Sequence, residues 1–219
     1  MIQSIPLLPE GRYKLEVMKN NQLIEVREDE CHSWTRNAWN MFASTFILAN
    51  ASDSLFGTGY LSAKNTAGTV VYGSSIFQLR GDTGFSGLED DFGYSGAGGS
   101  HTRGIVVGTS TSSENFDGHA LGSIITSSSS GLYYNPSVSP SASWDSGTKR
   151  WTVAWVRAFN NMTTNVTYQI GEIGIYAGYR FITTGNNFMF CRDVISPTLS
   201  VPPQTLLTVT YYFITQFPE

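Results

Sequence analysis

Few residues of this chain are spaced for chemistry. Cys31 and Cys191 lie far apart and have no metal-ligand spacing. They read as buried thiols, paired or free in the core, and not as a redox or metal site. His32, His101 and His119 fall in no H-E-x-x-H arrangement, which a zinc hydrolase needs to bring two imidazoles onto one helical face. Gly96-Ala97-Gly98-Gly99 has the glycines of a phosphate loop, but neither a lysine nor a helix signal follows it. A G-x-S-x-G elbow is absent, and no pair of carboxylates stands out as an acid and its partner for glycoside hydrolysis. The acidic run Glu89-Asp90-Asp91, with Asp82 nearby, offers oxygen ligands for Ca²⁺. It lacks the regular alternating spacing of a calcium loop, so a solvated loop tip is the plainer reading. The expectation is a protein without catalytic residues, cofactor or metal.

What remains is recognition by aromatic side chains. Phe85, Phe92, Tyr94, Tyr133, Tyr134 and Trp144 lie in or beside two long segments that carry little strand signal. Loop aromatics often mark contact surfaces and can also stack on sugars. Packing against the body of the protein or against another copy is favoured here over sugar binding.

The elements that must position these residues are mostly strands. From Trp151 to Phe217 the chain reads as four consecutive strands: WTVAWVRAF, NVTYQIGEIGIY, FMFCRDVI and TLLTVTYYFIT. Each is rich in β-branched and aromatic residues. The turns between them are expected at Asn160-Asn161, Gly185-Asn186-Asn187 and Pro202-Pro203. Residues 11–28 predict a hairpin, with Tyr13, Leu15 and Val17 alternating before an Asn20-Asn21 turn. A single helix is expected over about 33–48, capped by Ser33, with Trp34, Ala38, Phe42 and Phe46 on one face. Shorter strand candidates are GTVVYG, SSIFQLR and RGIVVGTS. The two long loops are residues 81–104, with eight glycines in twenty-four positions, and 126–149, with its serine run. A loop as long as the first is commonly functional or ordered by a partner.

Composition points toward assembly. Charged residues make up 14% of 219 residues, against roughly 25% in ordinary soluble domains. Serine, threonine and glycine supply nearly a third of the chain, while aromatics hold 13%. A surface so poor in charge reads as one covered by neighbours. The net charge of −4 and the lack of a basic stripe argue against nucleic acid. No apolar run reaches the length of a membrane span. The opening MIQSIPLLPEGRYKLEV lacks the pattern of a secretory signal, which predicts synthesis in a cytosol. The three N-x-S/T sequons at Asn50, Asn161 and Asn165 are expected by chance in such a chain.

Several strings carry a resemblance. GEIGIY (Gly171–Tyr176), MFCRDVISP (Met189–Pro197) and VPPQTLLTVTYYF (Val201–Phe213) occur in that order. Together they resemble the C-terminal module of small virion structural proteins of tailed bacteriophages. RGIVVGTSTSSENFDGHALGSII (Arg103–Ile125) and SWTRNAWNMF (Ser33–Phe42) are similar to upstream segments of those proteins. The resemblance touches about half the chain. It implies a virion component made in the host cytoplasm, acting in head, neck or tail, with itself and other virion proteins as partners. It assigns no role to the two long loops.

Within the matched strings, Glu172 and Tyr176 should face opposite to Ile173 and Ile175. Arg192 and Asp193 are adjacent charges in an apolar strand and so point to opposite faces. A buried charge needs a partner, and Glu172, one strand earlier, is the expected partner of Arg192 in an architectural ion pair. The resulting expectation is an all-β, jelly-roll-like β-sandwich spanning 1–219, with one amphipathic helix and two long loops. A short N-terminal arm (1–11) and a C-terminal tail (216–219) are the candidate extensions. The function expected is that of a homo-oligomeric structural protein of a phage particle. The alternative is a fibre module that binds a host receptor or glycan through its loop aromatics.

Overall fold

The structure is a computed structural model and describes residues 9–31, 33–44, 62–72, 94–181 and 184–216. The described residues are all-β apart from one short helix. It opens with a hairpin of β1 (Glu10–Lys19) and β2 (Gln22–Cys31). Asn20 and Asn21 join the strands with φ of 49° and 62°. Left-handed backbone at both central positions is what a type I′ turn requires, and asparagine tolerates it better than most residues. Tyr13, Leu15 and Val17 are buried while Arg12, Lys14 and Glu16 between them are not, the period-two pattern of a sheet covered on one face.

Helix α1 (Arg36–Ser44) follows, then the small ribbon of β3 (Ser62–Lys64) and β4 (Val70–Tyr72). Next come β5 (Gly104–Gly108), β6 (Leu132–Tyr134), β7 (Val138–Asp145) and β8 (Arg150–Asn161). The chain closes with β9 (Tyr168–Phe181), β10 (Thr184–Val201) and β11 (Leu206–Gln216). A six-stranded antiparallel sheet has the order β2-β1-β11-β8-β6, with β7 also paired to β8; the second sheet has the order β10-β9-β5. Register lines up three core rows across the larger sheet: Tyr13–Tyr211–Trp155, Leu15–Val209–Arg157 and Val17–Leu207–Phe159. The middle row puts a guanidinium at a core position.

The two sheets face each other as a sandwich, and the Tyr211 hydroxyl donates across the interface to Asp193 Oδ2 at 2.9 Å. Segment 109–125 covers the outer face of the smaller sheet, so β9 is buried on both sides from Ile170 to Gly178. Both edges of that sheet are closed by the chain itself. Thr35 N donates to Phe190 O and Arg192 N to Ser33 O, lining β10 with residues 33–35. Thr109 N and Ile125 N bond to Ser123 O and Val107 O, lining β5. Asn37 of α1 holds both Lys64 backbone groups and also donates to Met189 O, tying helix, ribbon and β10 together.

In β8–β11 the outer two strands pair in one sheet and the inner two in the other. A jelly roll repeats that unit; among the described residues it occurs once. The all-β sandwich is therefore established, and the jelly-roll topology is not.

Other expectations are revised. Asn160 and Asn161 end β8, and residues 185–187 lie inside β10. These asparagines bond across the fold: Asn161 Nδ2 donates to Val201 O and Pro202 O, and Asn187 Oδ1 accepts from Arg103 Nε. The helix begins at Arg36, and Ser33 lies upstream along β10, so it does not cap α1. Trp34 also precedes the helix, in a bridge to Cys191. The expected loop at 126–149 contains β6 and β7. Glu10, Gly11 and Gln216 belong to strands, which shortens the expected arms; residues 1–8 and 217–219 lie outside the described residues. Phe46, SSIFQLR and most of loop 81–104 also lie outside them.

The left-handed turn yields a direct test. Asn21→Ala should cost on the order of 1 kcal/mol in urea unfolding, because alanine keeps the Cβ but lacks the amide that lets asparagine tolerate that region, whereas Asn21→Gly should leave stability unchanged or raised.

Candidate functional site

Arg157 is the largest side chain buried completely. Alternation along β8 turns Trp155, Arg157 and Phe159 inward together. Its five N–H groups all meet backbone carbonyls. Nε donates to Asn135 O at 2.9 Å. Nη1 donates to Arg103 O at 2.6 Å and Ile105 O at 3.0 Å. Nη2 donates to Ala97 O at 3.0 Å and Ser100 O at 2.6 Å. The guanidinium carbon lies 4.9 Å from the Tyr134 ring centroid, a cation–π contact. Burial pushes the Arg157 pKa down to about 10, so the group stays charged at neutral pH. Gly96, a residue of the phosphate-loop look-alike, is explained here. A Cβ on it would lie 2.4 Å from Arg103 O and 2.7 Å from Arg157 Nη1. The glycine makes room for an internal cation.

Glu172 and Arg192 meet with Arg192 Nε 2.6 Å from Glu172 Oε2, and the two side chains are 0% and 8% exposed. Each remaining nitrogen and oxygen of the pair also bonds backbone. Glu172 accepts from Gly122 N at 3.0 Å and Ser123 N at 2.7 Å. Arg192 donates to Ser113 O at 3.1 Å and Ser112 O at 2.9 Å. The Tyr176 hydroxyl accepts from Leu121 N at 2.7 Å. The pair thus nails segment 109–125 onto the smaller sheet. Each carboxylate oxygen and each guanidinium nitrogen is thus tied to the fold. Asp193 points the other way, between the sheets.

The six expected contact aromatics separate. Tyr94 is fully buried and stacks on Trp155 with centroids 4.0 Å apart and planes 11° apart. Tyr134 is fully buried beside Phe159 and bonds Val107 and Ile125. Neither can meet a partner, which corrects the expectation for both: they pack the segments they sit on onto the body. Tyr133 is half-buried and Trp144 is exposed. Phe85 and Phe92 lie outside the described residues, as do His32 and the acidic run 89–91.

Trp144 sits on the most unusual surface. Seven of eight β7 residues are exposed, so neither face of that strand is covered. It is held by pairing to the first half of β8, from Val138↔Val156 to Asp145↔Arg150. Asp145 folds the turn by accepting from Gly147 N, Thr148 N and Thr148 Oγ1. Trp144 and Trp151 pair across this ribbon, centroids 5.4 Å apart, and are 45% and 43% exposed. Among the described residues no strand pairs with the far side of β7. Sequence reading missed both this ribbon and Arg157. The Trp-x-Arg-x-Phe alternation in β8 was the signal for the second.

Compared with known protein families, with curated proteins and with solved structures, the chain matches none.

The ion pair is testable by a double-mutant cycle. Arg192→Met should cost roughly 3–5 kcal/mol by leaving Glu172 buried without its cation. Glu172→Gln should add little on top of that change. Additive losses in chemical denaturation would show that the two side chains are energetically independent.

Proposed function

We propose that this chain is a structural subunit of a tailed-bacteriophage particle, which assembles with further copies of itself through the β7–β8 ribbon. The observation that carries the reading is the exposure of β7 on both faces. β7 is an edge strand of the larger sheet, since β8 pairs with β11 along its other side. This edge bears two exposed tryptophans, and from Val138 to Trp144 no charge. Charges are what commonly blunt an open strand edge. The opposite edge, β2, is treated differently: register places Glu25, Arg27 and Asp29 on its inner side, opposite Val17, Leu15 and Tyr13. Both edges thus carry guards, charge along β2 and Pro140 with a bulge between Val138 and Ser141 on β7, so the stretch of β7 offered to an identical subunit is Ser141–Trp144, where the pairing to β8 is regular. The ordered resemblance of GEIGIY, MFCRDVISP and VPPQTLLTVTYYF to phage virion proteins supplies the particle. The ties of Glu172 and Arg192 to segment 109–125 give the pair an architectural role, in keeping with a structural protein.

The alternative is a fibre module that binds a host glycan. It keeps Trp144, now beside Trp151, because exposed indoles stack on sugar rings. It loses Tyr94 and Tyr134, which are buried.

Sedimentation at micromolar concentration should show an oligomer, and purified particles should contain the chain in many copies. Trp144→Asp should weaken self-association by about 30-fold or more, the loss expected of an interfacial hot spot, with the melting temperature of the isolated subunit unchanged. A monomeric wild-type protein that is absent from particles contradicts the proposal. A monomer that binds isolated host cells, and loses that binding with Trp144→Asp, favours the fibre reading.

A further inference from the structure

Cys31 and Cys191 come together between the sheets. Cys31 ends β2 opposite Gly11 of β1. A Cβ on Gly11 would lie 2.7 Å from Cys31 Cβ and 3.1 Å from its Sγ, so the glycine is what lets this thiol turn inward. Cys191 lies on β10, and Asp193, two residues on, shares its face. The two Sγ atoms and an Asp193 carboxylate oxygen all lie within 4.8 Å of one another. The three residues are 7%, 0% and 2% exposed. Tyr211 donates its hydroxyl to Asp193, and Tyr13 is the cross-strand neighbour of Tyr211.

Two thiols, a carboxyl and a phenol thus meet in one buried cluster, all of them groups that can bind a metal as anions.

We propose that Cys31, Cys191 and Asp193 form a binding site for a thiophilic divalent cation of the zinc class. Tetrahedral zinc with Zn–S bonds near 2.3 Å places two sulfurs roughly 3.8 Å apart, which the cluster accommodates. Two thiolates and one carboxylate supply three ligands. A water or the Tyr211 hydroxyl completes the tetrahedron. The metal displaces one proton from each thiol, so M²⁺ and two neutral thiols give a dithiolate complex and two released protons. Bound metal would fasten the edge strand of the larger sheet to β10 of the smaller one.

The test uses the full chain, reduced with a phosphine and stripped of metal. Titrated Co²⁺ should bind at one per chain, with a near-ultraviolet thiolate-to-cobalt band and the intense visible bands of tetrahedral cobalt. Zn²⁺ should displace it, release two protons per metal and raise the melting temperature. Cys31→Ser and Cys191→Ser should each weaken Co²⁺ binding by more than the roughly 10–100-fold that loss of an outer-shell partner costs, and Asp193→Asn should weaken it while keeping the thiolate band. Cobalt binding without a thiolate band overturns the proposal, and so does an unchanged titration in the Cys31→Ser variant. A Cys31–Cys191 disulfide in protein isolated from reducing cytosol also overturns it, because it consumes both ligands. The wild-type titration decides the matter even where a variant fails to fold.

Discussion

A positive charge with no place to go organises this sandwich. Arg157 occupies a core position in the row Leu15–Val209–Arg157, where an aliphatic side chain would be ordinary. Desolvating a guanidinium is expensive unless each N–H finds an acceptor. Here the acceptors are carbonyls from residues 97, 100, 103, 105 and 135. Irregular backbone that would otherwise bury carbonyls without donors is gathered around one planar fork with fixed geometry. The arginine and these segments solve each other's problem. Gly96 and the Tyr134 ring shape the space, and β5, β6 and β8 are drawn to one point.

A second polar centre repeats the arrangement on the outer face of the smaller sheet. Glu172 takes two backbone N–H groups and Arg192 gives to two backbone carbonyls, so their ion pair lies at the middle of a bonded layer. Segment 109–125 becomes a third layer, and the strand that carries GEIGIY is buried on both sides. Chain segments close the edges of this sheet. Among the described residues the larger sheet ends at β7 with no further strand paired to it. Stability thus sits on the smaller sheet and the central strands, while the surface suited to a partner sits at the far edge of the larger one.

The sequence was most readable where side chains report their surroundings. β1 alternates, and β8 to β11 are dense in β-branched and aromatic residues, so their existence was plain. The Glu172–Arg192 contact was readable too, because two charges in adjacent apolar strands have few ways to be satisfied. β7 was unreadable for the opposite reason: a strand exposed on both faces has no apolar alternation, and SVSPSASWD looks like a loop. Asn160-Asn161 and Gly185-Asn186-Asn187 looked like turns because these residues favour them, but the asparagine amides bond across the fold, Asn161 to backbone carbonyls and Asn160, Asn186 and Asn187 to distant side chains. The meeting of Cys31 with Cys191 left no trace in local spacing. It depends on a hairpin at one end of the chain lying against a strand near the other.

Unfolding of Arg157 variants tests this account most directly. Arg157→Lys keeps the charge but has three donors for five carbonyls; Arg157→Met keeps the apolar stem and has none. Each buried carbonyl left without a donor costs about 1–3 kcal/mol, so Arg157→Lys, which leaves two, should lose about 2 kcal/mol or more in urea denaturation, and Arg157→Met, which leaves five, about 5 kcal/mol or more. An Arg157→Met protein within about 1 kcal/mol of wild type would contradict the claim that this cation holds the sandwich together.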